Sequence, residues 1–187
     1  MRTLLLALAL LASAASAADD AKLEAGVFEP ARAAPDFSLR GSDATELKLS
    51  RYRGKVVILA FGFSSCADVC PVTLAVLAEA RQKLGADGSD LQVIYVTVDP
   101  EHDDAKRLRE YLATFDPTFV GGTGEPEQLA AVRDSYGVFA KAREGEGGFS
   151  HSSYIYLIDR EGKLRALMPF GHDSDDYVHD VRILLKQ

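Results

Sequence analysis

Phe61-Gly62-Phe63-Ser64-Ser65-Cys66-Ala67-Asp68-Val69-Cys70-Pro71 joins an apolar run, Val56 to Phe63, to a helical pattern that departs from Pro71. Both cysteines of the 187-residue chain fall inside it, four positions apart. On a helix, positions i and i+4 share one face, about 6 Å apart at Cα for a rise of roughly 1.5 Å per residue. Two thiols on one face at a helix start close a disulfide or grip one soft metal ion. A bridge across so few residues closes a tiny loop, where the loop-entropy account gives its smallest stabilisation. The pair therefore reads as chemical rather than structural.

The helical pattern after Pro71 carries Leu74, Leu77, Ala78, Arg81 and Leu84 and stops at Gly85. Proline in the first turn and glycine just past the end fit the usual asymmetry of helix termini. Val56 to Phe61 before it and Leu91 to Val98 after it are continuous apolar runs, as strands buried on both faces are. Together they predict a βαβ unit with parallel strands and a right-handed connection. Downstream, Asp103 or Asp104 can cap a helix carrying Leu108, Tyr111, Leu112 and Phe115. Thr118 to Val120 reads as a short strand, and Glu125-Pro126 opens a helix with Leu129, Val132 and Tyr136. Residues 137–142 read as extended and Glu144 to Phe149 as a glycine-rich loop. Ser153 to Ile158 and Leu164 to Met168 form a hairpin across Asp159-Arg160-Glu161-Gly162, and Ser174 can cap a last helix. Upstream, Pro35 to Leu39 and Glu46 to Leu49 alternate apolar with polar around a Gly41-Ser42-Asp43 turn.

This order predicts an α/β fold, a central mixed sheet flanked by helices. It resembles the thioredoxin fold, with an added N-terminal β-hairpin and an inserted helix–strand segment. In such sheets ligands gather outside the carboxyl ends of the parallel strands, where Cys66 and Cys70 fall.

Residues 1–18 read as a secretory signal peptide. Arg2 supplies the positive end, Thr3 to Ser13 the apolar stretch and Ala15-Ser16-Ala17 the small-residue cleavage site. The apolar stretch is short of the roughly 20 residues that a membrane span needs. A periplasmic, soluble protein is expected, the alternative being a chain anchored by an uncleaved N-terminal segment. Residues 19–34 read as a leader arm without periodicity, and 35–187 as a single thioredoxin-like domain. The formal net charge is −7, one unit more negative without Arg2. An acidic surface argues against nucleic acid and anionic lipid as partners, so membrane contact is expected only through a partner.

A cysteine at a helix N-terminus meets unpaired backbone N–H groups and the positive end of the helix dipole. Both favour thiolate, the form that attacks disulfides and binds metals. Two thiolates suit Cu(I), whereas a closed zinc site takes four protein ligands. The four histidines are His102, His151, His172 and His179. His151 stands between the glycine-rich loop and the next strand, and in thioredoxin-like topology that loop faces the start of the active-site helix. His151 is therefore the candidate third ligand, and with it the set also suits Cu(II). His102 lies in an acidic turn and is expected to be solvated. His172 and His179 flank the last helix beside Asp173, Asp175, Asp176 and Asp180, where a secondary metal site is conceivable. Asp99, at a strand end, either touches the cysteine site or serves as a cap.

Three segments together, Phe61 to Pro71, Val96-Thr97-Val98-Asp99-Pro100 and His151-Ser152-Ser153-Tyr154-Ile155-Tyr156-Leu157-Ile158-Asp159, make the sequence similar to the Sco/SenC family from about Pro35 to the C-terminus. The resemblance implies a thioredoxin-like fold and copper, as Cu(I) or Cu(II), held by Cys66, Cys70 and His151. It also implies a metallochaperone serving the binuclear copper site of cytochrome c oxidase, so the partner expected is its copper-bearing subunit or another periplasmic copper protein. Ala67 departs from the family pattern, where proline is common, and a secretory signal stands where many relatives keep a membrane anchor. The competing expectation is a thiol–disulfide reductase in which Cys66 and Cys70 are the catalytic, redox-active dithiol. A peroxidase of peroxiredoxin type is suggested by Pro35-Asp36-Phe37, but the segment before Cys66 lacks the proline–threonine pattern that such an enzyme uses.

Overall fold

The computed structural model describes residues 22–143 and 148–187. The expected signal peptide, residues 19–21 of the expected leader arm and residues 144–147 of the expected glycine-rich loop lie outside these residues. In chain order the strands are β1 Gly26–Ala33, β2 Ser38–Gly41, β3 Glu46–Lys48, β4 Val56–Gly62, β5 Leu91–Thr97, β6 Val120–Thr123, β7 Ala140–Ala142, β8 Phe149–His151, β9 Ile155–Ile158 and β10 Lys163–Met168. The helices are α1 Val69–Leu84, α2 Ala105–Ala113, α3 Pro126–Tyr136 and α4 Ser174–Leu185.

An eight-stranded mixed sheet runs in the order β1-β10-β9-β4-β5-β6-β2-β3. β4 pairs parallel with β5 and β5 with β6, while β9 lies antiparallel to β4 and β10 to β9. The fold is thioredoxin-like, with strands β10-β9-β4-β5 at its centre. The N-terminal hairpin, β2–β3, extends the sheet beyond β6.

The two continuous apolar runs explain the layering. Successive side chains of a strand point to opposite faces, so Val56, Ile58, Ala60, Val93 and Tyr95 meet one set of helices. That set is α1, α2 and α4, through residues such as Leu74, Leu77, Leu108, Leu112 and Val181. Val57, Leu59, Phe61, Ile94 and Val96 face the other way, onto Leu129, Val132 and Tyr136 of α3 and onto the hairpin. β4 and β5 are buried at every position.

The strand expected at Thr118 to Val120 falls at Val120–Thr123, Phe149, expected in the loop, opens β8, and two further boundaries differ from the sequence reading. Residues 26–33, expected in a leader arm, form edge strand β1, antiparallel to β10. Its side chains are mostly exposed on both faces, so apolar periodicity gives no signal. Backbone pairing holds it, with Asp180 accepting N–H bonds from Glu24 at 2.7 Å and Ala25 at 3.0 Å. Helix α1 begins at Val69, ahead of Pro71, and Asp68 before it has non-helical φ −128° and ψ −94°. Cys66 therefore precedes the helix, and the two cysteines do not share a helical face. Pro71 is the third helical residue, still within the turn whose N–H groups lack intrahelical partners.

Candidate metal centre

The loop from Gly62 to Asp68 is fixed by groups distant in sequence. Cys66 N donates to Phe63 O at 3.3 Å, which turns the chain, and Val98 N donates to Gly62 O at 2.8 Å. Ser64 N donates to Asp103 Oδ2 at 2.9 Å, and the same oxygen accepts from Thr97 Oγ1 at 2.7 Å. Arg107 Nε, in the first turn of α2, donates to Ser64 Oγ at 3.0 Å. Both cysteines are free thiols, Cys66 half-buried and Cys70 buried on the second residue of α1.

His151 ends β8, which pairs with β7 in a two-stranded ribbon outside the main sheet. Its Nδ1 lies 2.8 Å from Ser152 O. A carbonyl can only accept, so Nδ1 carries the proton in the neutral ring and Nε2 presents a lone pair. That nitrogen stands 3.6 Å from Cys70 Sγ. The edge of the Phe63–His151 pair, with centroids 5.9 Å apart at 79°, holds the imidazole plane, and Phe149 packs on Phe63 in turn. A cavity of about 520 Å³ opens in front, walled by Cys66, Asp68, Arg143, Phe149, His151 and Ser153. Cys70 and His151 are in contact, and Cys66 shares the cavity with His151. Among the described residues, no three histidine, cysteine or carboxylate side chains are already drawn together around one point. Enclosing an ion therefore requires a side-chain adjustment.

Behind Cys70 the interior is polar. A Cβ on Gly62 would stand 2.2 Å from Tyr95 Oη and 2.8 Å from Cys70 Sγ, closer than real contacts allow. Glycine is required here because its missing side chain lets the phenol and the sulfur meet above the strand. Tyr95 Oη, Tyr111 Oη and Asp103 Oδ1 are buried without hydrogen-bond partners. Burial first, and then the neighbouring Cys70 sulfur, push both phenols well above the ordinary tyrosine range.

The other expected residues are elsewhere. Asp99 is buried, but its carboxylate turns to His102 Nδ1 at 2.9 and 3.0 Å rather than to the cysteines. His102 is exposed, as its acidic turn suggests. His172 pairs with Asp176 at 2.7 Å and His179 with Asp180 at 3.1 Å, without forming a shared metal cluster. Sequence reasoning took Asp103 only as a possible cap. Asp104 caps α2 by accepting from Arg107 N at 2.7 Å, which leaves Asp103 for the cysteine loop. The signal was two successive carboxylates where a helix uses one.

The SCO1/SenC family profile matches residues 27–186. A SCO2-like protein of Rickettsia conorii is 34% identical over 133 residues, which are 68% of this chain and 65% of that one. The chain thus spans just under two thirds of that relative's length. The solution structure of apo Sco1 from Thermus thermophilus superposes with a TM-score of 0.80 at 32% identity, over 89% of this chain and 99% of that one. Copper-bound ScoI of Bradyrhizobium japonicum superposes with a TM-score of 0.75 at 29% identity, over 82% and 99%. With the profile spanning the sheet from β1 to α4, the chain belongs to the SCO1/SenC family.

Proposed function

We propose that the protein is an exported copper carrier that takes Cu(I) or Cu(II) on Cys66, Cys70 and His151. Its acceptor is the binuclear copper site in the copper-bearing subunit of cytochrome c oxidase, or another periplasmic copper protein. The observation that carries this reading is the approach of His151 Nε2, lone pair forward, to within 3.6 Å of Cys70 Sγ. Two sulfurs and one imidazole suit soft Cu(I), and the imidazole extends the set to Cu(II). The copper-bound ScoI structure supports the same cargo. Half-buried Cys66 is the sulfur that an acceptor's ligand reaches first, so release by ligand exchange starts there.

Export rests on Arg2, the apolar stretch after it and Ala15-Ser16-Ala17. Among the described residues no helix is long and apolar enough to cross a membrane. Removal of residues 1–18 frees the copper-binding domain in the periplasm, and retention of the leader would anchor it there.

A second reading, a thiol–disulfide reductase, is favoured by the pairing of one accessible thiol with one buried thiol. In it Cys66 attacks and Cys70 resolves. His151 separates the two, since a simple dithiol enzyme has no use for it. Copper titration of wild type, Cys66→Ser, Cys70→Ser and His151→Ala, under oxidising and anaerobic reducing conditions, decides. Either serine variant loses one-to-one binding. His151→Ala keeps Cu(I) but loses the thiolate-to-Cu(II) absorption and its electron paramagnetic signal. Tight binding by a serine variant, or an unchanged Cu(II) spectrum without His151, overturns the site.

A further inference from the structure

We propose that Tyr95 is a positioning residue for the cysteine pair: its phenol donates a hydrogen bond to Cys70 Sγ when that sulfur carries negative charge, as thiolate or as a copper ligand. The effect is to hold Cys70 as the retained sulfur while Cys66 exchanges.

The placement follows from the sheet. Tyr95 pairs with Ala60 in the β4–β5 register, so its side chain points to the α1 side and its tip lies over the end of β4. There the bare Cα of Gly62 leaves room for both Tyr95 Oη and Cys70 Sγ, which lie 2.2 and 2.8 Å from where its Cβ would stand. Tyr95 is 2% exposed and its hydroxyl has no hydrogen-bond partner of ordinary geometry. A buried hydroxyl without a partner is a standing cost in the folded state.

The chemistry of the neighbours leaves Tyr95 as the side-chain donor. A neutral thiol is a weak acceptor, whereas a thiolate forms charge-assisted bonds about twice as strong as neutral ones. Cys70 is 3% exposed, so its thiolate cannot rely on water as Cys66 does. Neutral His151 does not donate to it, because Nδ1–H is committed to Ser152 O and Nε2 offers a lone pair. Amide groups of the first turn of α1 supply the backbone share, and the phenol of Tyr95 supplies the side-chain share. Tyr111 Oη, the other unpartnered phenol of this interior, lies close enough to feel both cysteines and Asp103. It is the comparison that tests specificity.

The copper part of this inference rests on the proposed function, and the dithiol part does not. The experiment uses the full chain as wild type, Tyr95→Phe and Tyr111→Phe, with two readouts. In the first, the protein disulfide is equilibrated with reduced glutathione: two glutathiones are oxidised to one glutathione disulfide, and the protein disulfide becomes the dithiol. Removing the donor weakens the reduced form, so Tyr95→Phe shifts this equilibrium about tenfold toward the disulfide, about 30 mV for a two-electron couple. In the second, the thiolate-to-Cu(II) band moves to lower energy in Tyr95→Phe, because a sulfur relieved of its hydrogen bond gives up charge more easily. Thermal unfolding of the disulfide form does not fall, since there the hydroxyl has no charged sulfur to bond, and any fall is confined to the reduced form. Tyr111→Phe moves both readouts less. A wild-type glutathione equilibrium in Tyr95→Phe, or an equal shift in Tyr111→Phe, overturns the assignment. A wild-type protein that binds no copper overturns the carrier reading, while the glutathione equilibrium still decides the role of Tyr95.

Discussion

Asp103, just ahead of α2, accepts the backbone N–H of Ser64, two residues before Cys66, at 2.9 Å. Thr97 Oγ1 donates to the same oxygen at 2.7 Å, so one buried carboxylate ties the end of β5 to the cysteine loop. Asp103→Ala leaves both donors buried without an acceptor. We expect a loss of about 2–4 kcal/mol in urea unfolding, from two orphaned groups at about 1–3 kcal/mol each with partial relaxation. Copper affinity falls with it as the loop loosens. Asp103→Asn keeps one acceptor oxygen and loses less than half as much. Wild-type stability in Asp103→Ala would remove this tie.

The centre of the fold was legible because β4 and β5 are buried on both faces and therefore apolar at every position. The βαβ unit, the hairpin β2–β3 and the order of the helices follow from such local patterns. The meeting of His151 with Cys70 was legible because the fold brings β8 to the start of α1; their service as copper ligands belongs to the proposed function. Contacts set by tertiary placement were not legible. β1 is held by backbone pairing and by Asp180, neither of which leaves a mark on its own residues. The start of α1 is set by the turn at Phe63 to Cys66 and by Asp103, so the four-residue cysteine spacing misleads about a shared helical face. Tyr95 reads as one more apolar strand residue until its hydroxyl is seen above Gly62.

His102 gives a pH dependence whose sign is fixed by Asp99. The bond to the Asp99 carboxylate, and then its charge, raise the His102 pKa above the ordinary 6.5. Protonation thus favours the folded state. The contribution is fully present below the unfolded histidine value and is lost as pH rises through the raised folded value. His102 is exposed, and solvent keeps the effect on stability small. In a proton NMR titration the His102 ring midpoint lies above 6.5 and returns to the ordinary value in Asp99→Asn. An unshifted midpoint in wild type would mean that the pair does not form in solution.

Asp180 anchors the strand that local sequence patterning does not reveal. It is fully buried on α4 and accepts from Glu24 N at 2.7 Å and Ala25 N at 3.0 Å, immediately before β1. Replacing it by alanine removes both acceptors and the contact to His179 Nδ1 at 3.1 Å. We expect Asp180→Ala to lower stability by about 2–4 kcal/mol, as for a buried charged acceptor serving two amides. The loss is local first. β1 is an edge strand with mostly exposed side chains, so its pairing with β10 opens more readily than the sheet centre. Amide hydrogen exchange across residues 26–33 therefore quickens more than exchange in β4 or β5, and proteolysis begins in the same segment. Asp180→Asn, which keeps one acceptor oxygen, lies between. If the amides of β1 keep wild-type protection in Asp180→Ala, backbone pairing with β10 alone holds the strand and the carboxylate is not its anchor.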